Sequence, residues 1–276
     1  GRACKGACFA RDGMNGGLMP QSNAGEIGMT FQRGLWAETA HNFKANLWVV
    51  LFVIGALIAW SIAQDMTGHT NGMVSTIIWL VILIAVHSTI LKGQPGFIAL
   101  TQKGVFMGFL WRSILFFVLG LIPAFLTLPL SEKLGSDIWL LYVFLPAYGI
   151  GQALLLSIWG TWFPSVVADG DKTLKAAWER GKKTFTYVFL RLIFCNGLIA
   201  ASAFGVLIYF FANVESEGDT WSTAGGFDPV AIALQVSFIT AFAIQFVMMA
   251  TVLSRAFLIA ERIDANQRNA PFKSEG

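Results

Sequence analysis

The stretch that decides the fold is residues 45–64, ANLWVVLFVIGALIAWSIAQ, which carries no charged side chain from end to end. A helix of about 20 residues, rising about 1.5 Å per residue, spans the roughly 30 Å hydrocarbon core of a bilayer. A soluble helix of this length would show a polar face, and this stretch has none. It therefore predicts a membrane-spanning helix.

Five further apolar runs follow along the chain. They cover residues 72–91, 105–128, 138–159, 186–212 and 230–259. Charged residues make up only 13% of the chain, whereas soluble domains carry roughly 25%. The 10 tryptophans and 28 glycines also suit membrane helices and their interfaces. We therefore predict an all-α polytopic membrane protein with about six transmembrane helices.

The distribution of lysine and arginine predicts the orientation of these helices. Basic residues gather before the first, third and fifth runs and after the sixth, whereas the alternate loops hold only Lys133. The loop 213–228 is acidic and has no basic residue. Because cytoplasmic loops are enriched in lysine and arginine, we expect a multi-pass protein with both termini cytoplasmic, in a bacterial inner membrane.

The two ends of the chain differ from its middle. Residues 1–28 are small and polar, with no hydrophobic period and no apolar core of a secretory signal. We interpret them as a disordered tail or as translated upstream sequence. Residues 29–264 are predicted to form the six-helix transmembrane domain, and residues 265–276 a short cytoplasmic tail.

The segment before the fifth run has the spacing of an amphipathic helix lying in the membrane interface. Its apolar stripe is Leu174, Ala177, Trp178, Gly181 and Phe185, at helical intervals along one face. Its basic residues are the candidate lipid-headgroup contacts: Lys172, Lys175, Arg180, Lys182 and Lys183. A similar pattern before the first run predicts a second interfacial helix there. The alternative is that the basic residues only fix orientation during insertion.

Polar residues within the predicted spans are a second set of candidates, because such residues are costly in lipid. They are His87, Arg112, Gln152, Arg191, Asn196 and Gln245. Each has a structural interpretation: the histidine packs between helices, the arginines reach the interface, and the amides hydrogen-bond across helices. The alternative is that they line a cavity or an anion path. No acidic residue lies deep in a span, which disfavours ion-coupled transport.

Signatures of catalysis and of metal binding are absent from the sequence. There is no GxSxG, HExxH or phosphate-binding loop. Cys4 and Cys8 lack the further ligands of a metal site. A net charge of +3 gives no support for nucleic-acid binding. We therefore expect no cofactor, no metal, no catalytic residue and no nucleic-acid partner.

Residues 163–192, FPSVVADGDKTLKAAWERGKKTFTYVFLRL, carry a resemblance to known proteins. The matching positions are Pro164, Asp169 or Asp171, Leu174, Ala177, Arg180 and Lys182. They resemble an element of uncharacterised bacterial six-helix membrane proteins similar to YciC and to the membrane domain of glycerophosphodiester phosphodiesterases. Gly181 stands where that group often has serine. The resemblance implies an architecture, and it brings no substrate and no catalytic residue.

These observations favour a non-catalytic inner-membrane protein that organises the membrane or serves as an accessory subunit with lipid contacts. The expected partners are membrane lipids, anionic ones included, and protein partners or a homo-oligomer stay open. The second hypothesis is a small transporter or permease component, and the third is a membrane-embedded enzyme.

Reporter fusions test the predicted topology. Fusions after Asn71, Gly135 and Ser222 should report the outside, because the loops there lack the basic residues that mark the cytoplasmic side. Fusions after Gly96 and Gly170 should report the cytoplasm. A cytoplasmic signal from the Ser222 fusion would refute the six-span arrangement.

Overall fold

The computed structural model describes residues 34–68, 72–94, 96–102, 104–135, 139–168, 170–197, 199, 201, 205, 221–222 and 226–269. The predicted tail 1–28 lies outside the described residues, and so does most of the predicted fifth span beyond Gly197.

The described chain is almost entirely helical. Its helices, in chain order, are α1 (Leu35–Ala45), α2 (Leu47–Thr67), α3 (Gly72–Lys92), α4 (Gly96–Thr101), α5 (Val105–Phe125), α6 (Ser131–Leu134), α7 (Leu145–Trp159), α8 (Trp162–Val167), α9 (Leu174–Arg191) and α10 (Pro229–Asn269). A 3-10 turn (Leu128–Leu130) precedes α6, and π-helical turns (Leu140–Phe144 and Leu192–Asn196) precede α7 and follow α9. Two antiparallel strands of two residues each, β1 (Trp221–Ser222) and β2 (Gly226–Phe227), complete the described elements.

Five helices of the described chain are long and apolar enough to cross a membrane: Leu47–Thr67, Val74–Lys92, Val105–Phe125, Tyr142–Trp159 and Pro229–Asn266. They correspond to five of the six predicted spans, and the all-α polytopic membrane class is confirmed. The predicted fifth span begins inside α9. The helix then continues without a break into the π-helical turn Leu192–Asn196. The remainder of the span lies outside the described residues.

Helix α10 organises the packing of the bundle. It contacts α1, α2, α3, α8 and α9. Its buried face carries small and branched side chains such as Ala243, Val247 and Ala250, which let other helices approach closely. The helix continues to Asn269, into the segment predicted as a tail, and pairs with α9 through Glu261 and Asp264.

The helices predicted before the first and fifth spans are both present, as α1 and α9. Their buried faces differ from a simple apolar stripe. Helix α1 buries Glu38, Thr39 and Asn42, whereas Trp36 is exposed. Sequence spacing identified the helix, but the polar face of α1 is the one that packs against the protein.

Helix α9 packs closely against α7 at Gly181. A Cβ placed there would overlap the main-chain carbonyl oxygen of Ile158. Ala177 and Thr184 flank Gly181 on the same buried face. This contact gives a physical reason for glycine at position 181.

The substitution Gly181→Ala tests this close approach. We expect it to lower the free energy of unfolding by about 1–3 kcal/mol, the usual cost of overpacking a tight contact. The control is Gly55→Ala on α2, where an added Cβ meets no atom of the described residues within 4 Å. Thermal unfolding in one detergent would compare the two variants, and equal melting temperatures would contradict the proposed contact.

Candidate lipid-headgroup site

A buried ion pair joins the first and last described helices. The carboxylate of Glu38 on α1 pairs with the guanidinium of Arg255 on α10. Both residues are buried. One turn away, Asn42 Nδ2 donates to Thr251 Oγ1 at 3.1 Å. The polar face of α1 is therefore held to α10 by hydrogen bonds and charge.

His87 joins the same polar layer from α3. Its ring is fully buried, and its Nδ1 shares a 2.7 Å hydrogen bond with Ser254 Oγ of α10. The Phe109 ring lies 5.6 Å away. Beside it, Thr89 donates to Asn46 Oδ1, in the turn between α1 and α2, at 3.0 Å. These contacts support the interpretation of His87 as a residue that packs between helices.

Arg180 lies inside the protein and not at the surface where a headgroup would reach it. Arg180 is only 4% exposed. Its Nη2 donates a hydrogen bond to the Asp171 carbonyl oxygen at 3.0 Å, and its Nη1 lies 3.4 Å from Glu261 Oε1. Burial lowers the pKa of Arg180, and the charges of Glu261 and Asp171 oppose that shift. This corrects the expected headgroup role of Arg180. The reason is its position three residues after Ala177, on the buried face of α9.

Asp171 fixes the loop that leads into α9. Its Oδ1 accepts a hydrogen bond from the Thr173 main-chain N–H at 2.8 Å, and Thr173 in turn caps the helix. These hydrogen bonds from Thr173 hold the pKa of Asp171 below its usual range. Hydrogen bonds of Asp171 and Thr173, the two residues that flank Lys172, therefore fix the shape of this loop.

The other basic candidates on α9 divide into two kinds. Lys183 forms an ion pair with Asp264 of α10. Lys182 lies on the exposed side, 3.1 Å from Glu179 and over the Trp178 ring at 5.3 Å. Lys175 is also exposed.

We call the exposed side of this helix the outer face of α9; it consists of Leu174, Lys175, Trp178, Glu179 and Lys182.

A cleft of about 470 Å³ opens at the start of α5 and contains two residues from the separate sets of candidates. Arg112 comes from the intramembrane set and Lys172 from the headgroup set. The full lining is Gln102, Gly104, Val105, Gly108, Trp111, Arg112, Trp162, Val166 and Lys172. We refer to this cavity as the Arg112 cleft.

The guanidinium of Arg112 is held in place within its cleft. Its Cζ lies 4.5 Å from the centre of the Trp162 ring. Nη2 donates to the Lys172 carbonyl oxygen at 3.3 Å, and Trp162 Nε1 donates to the same oxygen at 2.6 Å. Trp162 was not identified as a site residue from the sequence. The enrichment of tryptophan at membrane interfaces is the signal that could have pointed to it.

The remaining polar candidates lie apart from this cleft. Gln152 Nε2 donates a hydrogen bond to the Phe116 carbonyl oxygen at 2.9 Å, and the Gln152 side chain packs against Gly120. These two contacts join α7 to α5. Arg191 lies over the Tyr187 ring at 3.8 Å. Gln245 is half-buried on α10. Asn196 lies in the π-helical turn after α9, and its side chain is outside the described part of the chain.

Comparison with known proteins gives no relative: no family model, no curated protein and no solved structure matches the chain. The resemblance of residues 163–192 to the six-helix group stays a prediction. Within the described ranges, no three histidine, cysteine or acidic side chains come together as metal ligands. The geometry of the Arg112 cleft and of the outer face of α9 is therefore the basis for a functional proposal.

Proposed function

We propose that this protein is a non-catalytic bacterial inner-membrane protein that organises its lipid surroundings, or supports a partner complex, by binding anionic lipids. The observation that carries the proposal is the outer face of α9. There two lysines alternate with exposed Leu174 and Trp178 on a helix whose opposite face is anchored in the protein. In the proposed topology this face lies along the cytoplasmic leaflet.

The chemistry of this face suits a lipid interface. Tryptophan and leucine enter the boundary between headgroups and acyl chains, and lysine extends its ammonium group towards the headgroups. Each basic side chain near an anionic leaflet contributes about 1 kcal/mol. Glu179 offsets part of that attraction. The two lysines therefore support enrichment of anionic lipid rather than tight binding of one molecule.

Transport is the second candidate, and one cavity favours it. A pocket of about 220 Å³ lies between α2, α3 and α10. Its lining includes Ser61, Gln64, Ser75 and Gln235 beside aromatic rings. None of the six intramembrane polar candidates lines this pocket. The polar groups that meet there from three helices are all neutral, and among the described residues no basic or acidic side chain lines the pocket, so lipid binding is the better supported function.

The double variant Lys175→Gln/Lys182→Gln tests the proposed function. Co-purified anionic lipid, counted by mass spectrometry in one detergent, should fall to less than half, because two attractions of about 1 kcal/mol each are lost. Topology should persist, since the other basic residues remain.

The control is Lys183→Gln, which removes one lysine charge from the same helix, so its lipid loss is compared with half of the loss in the double variant. Its ammonium group is paired with Asp264 within the protein, so lipid content should change little. Unchanged lipid content in the double variant, or an equal loss in both proteins, would leave the lysines only a role in orientation.

A further inference from the structure

The donor capacity of Arg112 exceeds what the protein supplies to it. Arg112 is 7% exposed, and an arginine carries five N–H donors. Its Nη2 donates to the Lys172 carbonyl oxygen, whereas its buried Nε has no hydrogen-bond partner among the described residues. Within the part of the chain that the structure describes, no carboxylate pairs with it. A buried guanidinium of this kind requires an acceptor.

The cleft is shaped so that a ligand can reach this guanidinium. Gly104 has φ +83°, a left-handed conformation that starts α5, and Gly108 faces Arg112 one turn later. A Cβ on Gly108 would lie 3.2 Å from Val166 and 3.5 Å from Arg112 Nη1. Glycine at 108 therefore lets Val166 and Arg112 pack close to α5, and at Gly104 an added Cβ would meet no described atom within 4 Å. The first N–H groups of α5 add a partial positive charge at the same end.

The charges around the cleft select an anion. Lys172 is a second basic residue in the lining and Gln102 an amide-bearing one, and no acidic residue lines the cavity among the described residues. A guanidinium binds the two oxygens of a phosphate in parallel through its planar fork. The site therefore suits a phosphate oxyanion better than a neutral ligand.

The rim of the cleft points to the source of that phosphate. Trp111 is 61% exposed, and Met107 one turn earlier is also exposed. Both lie on α5, a helix apolar and long enough to cross the membrane. A ligand with a phosphate and acyl chains would contact the cleft and this apolar rim together, whereas free phosphate would contact only the cleft.

We infer that the Arg112 cleft binds the phosphodiester of one phospholipid headgroup, with Arg112 and Lys172 as its cationic contacts. The inference rests on the proposed function and deepens it, since it adds a single defined lipid site to the diffuse attraction of the outer face of α9.

Native mass spectrometry of the full chain with phosphatidylglycerol or phosphatidylcholine tests the inference. Wild-type protein should retain one phosphatidylglycerol molecule through activation that strips the others. Arg112→Gln should weaken retention by about tenfold or more, because a charge-assisted pair is lost. Arg112→Lys should recover part of it, since it keeps the charge without the fork.

Lys172→Gln keeps the test valid even if Arg112 variants fold poorly. Arg112 and Trp162 bind the main-chain oxygen of Lys172, which this substitution preserves. Retention should fall about fivefold, matching about 1 kcal/mol per lysine. The control Lys44→Gln removes the same charge from α1, outside the cleft lining, and should retain lipid normally. Wild-type retention in both Arg112→Lys and Lys172→Gln would overturn the inference.

Inorganic phosphate, titrated against lipid-free protein in neutral detergent, distinguishes the two sources of the anion. Weak or undetectable stabilisation by phosphate, beside strong retention of phosphatidylglycerol, supports the lipid. Phosphate binding that is tight, depends on Arg112 and is not weakened by added phosphatidylglycerol would overturn the lipid assignment. The Lys175→Gln/Lys182→Gln protein should still retain its one lipid, so failure of the proposed function and failure of this inference give different results.

Discussion

The structure depends on the buried ion pair between Glu38 and Arg255. Removing one member of a buried pair typically costs about 3–5 kcal/mol, because the other charge keeps its desolvation penalty. Here the pair joins helix α1 to α10. Within about four turns, α10 also bonds to α3 through Ser254 and to α9 through Glu261 and Asp264. One helix thus anchors the polar faces of three others.

This arrangement explains how the Arg112 cleft is positioned. Two buried arginines bind consecutive carbonyl oxygens in the loop before α9: Arg180 binds that of Asp171, and Arg112 binds that of Lys172. Arg180 is in turn held by Glu261 of α10. The loop is therefore fixed from both sides, and Lys172 lines the cleft. With its inner face held in this way, α9 presents Trp178 and Lys182 outward.

Sequence reasoning predicted the spans well because the cost of unpaired backbone in lipid enforces long apolar helices, as in residues 45–64. It also found α1 and α9, whose amphipathic spacing is a local signal. It failed on some of the polar residues that face inward. Arg180 was assigned to the surface by residue type, although its register with Ala177 places it inside. Arg112 and Lys172 lie 60 residues apart, and Glu38 and Arg255 pair the two ends of the described bundle. Partners of this kind are chosen by tertiary packing, which a single sequence does not reveal.

A double-mutant cycle on Glu38 and Arg255 tests the central claim most directly. The free energy of unfolding in bicelles would be measured for Glu38→Gln, Arg255→Gln and the double variant. We predict that each single substitution costs about 3–5 kcal/mol and that the double variant costs clearly less than their sum, because neither charge is then left buried alone. Additive losses, with a coupling energy near zero, would contradict the account.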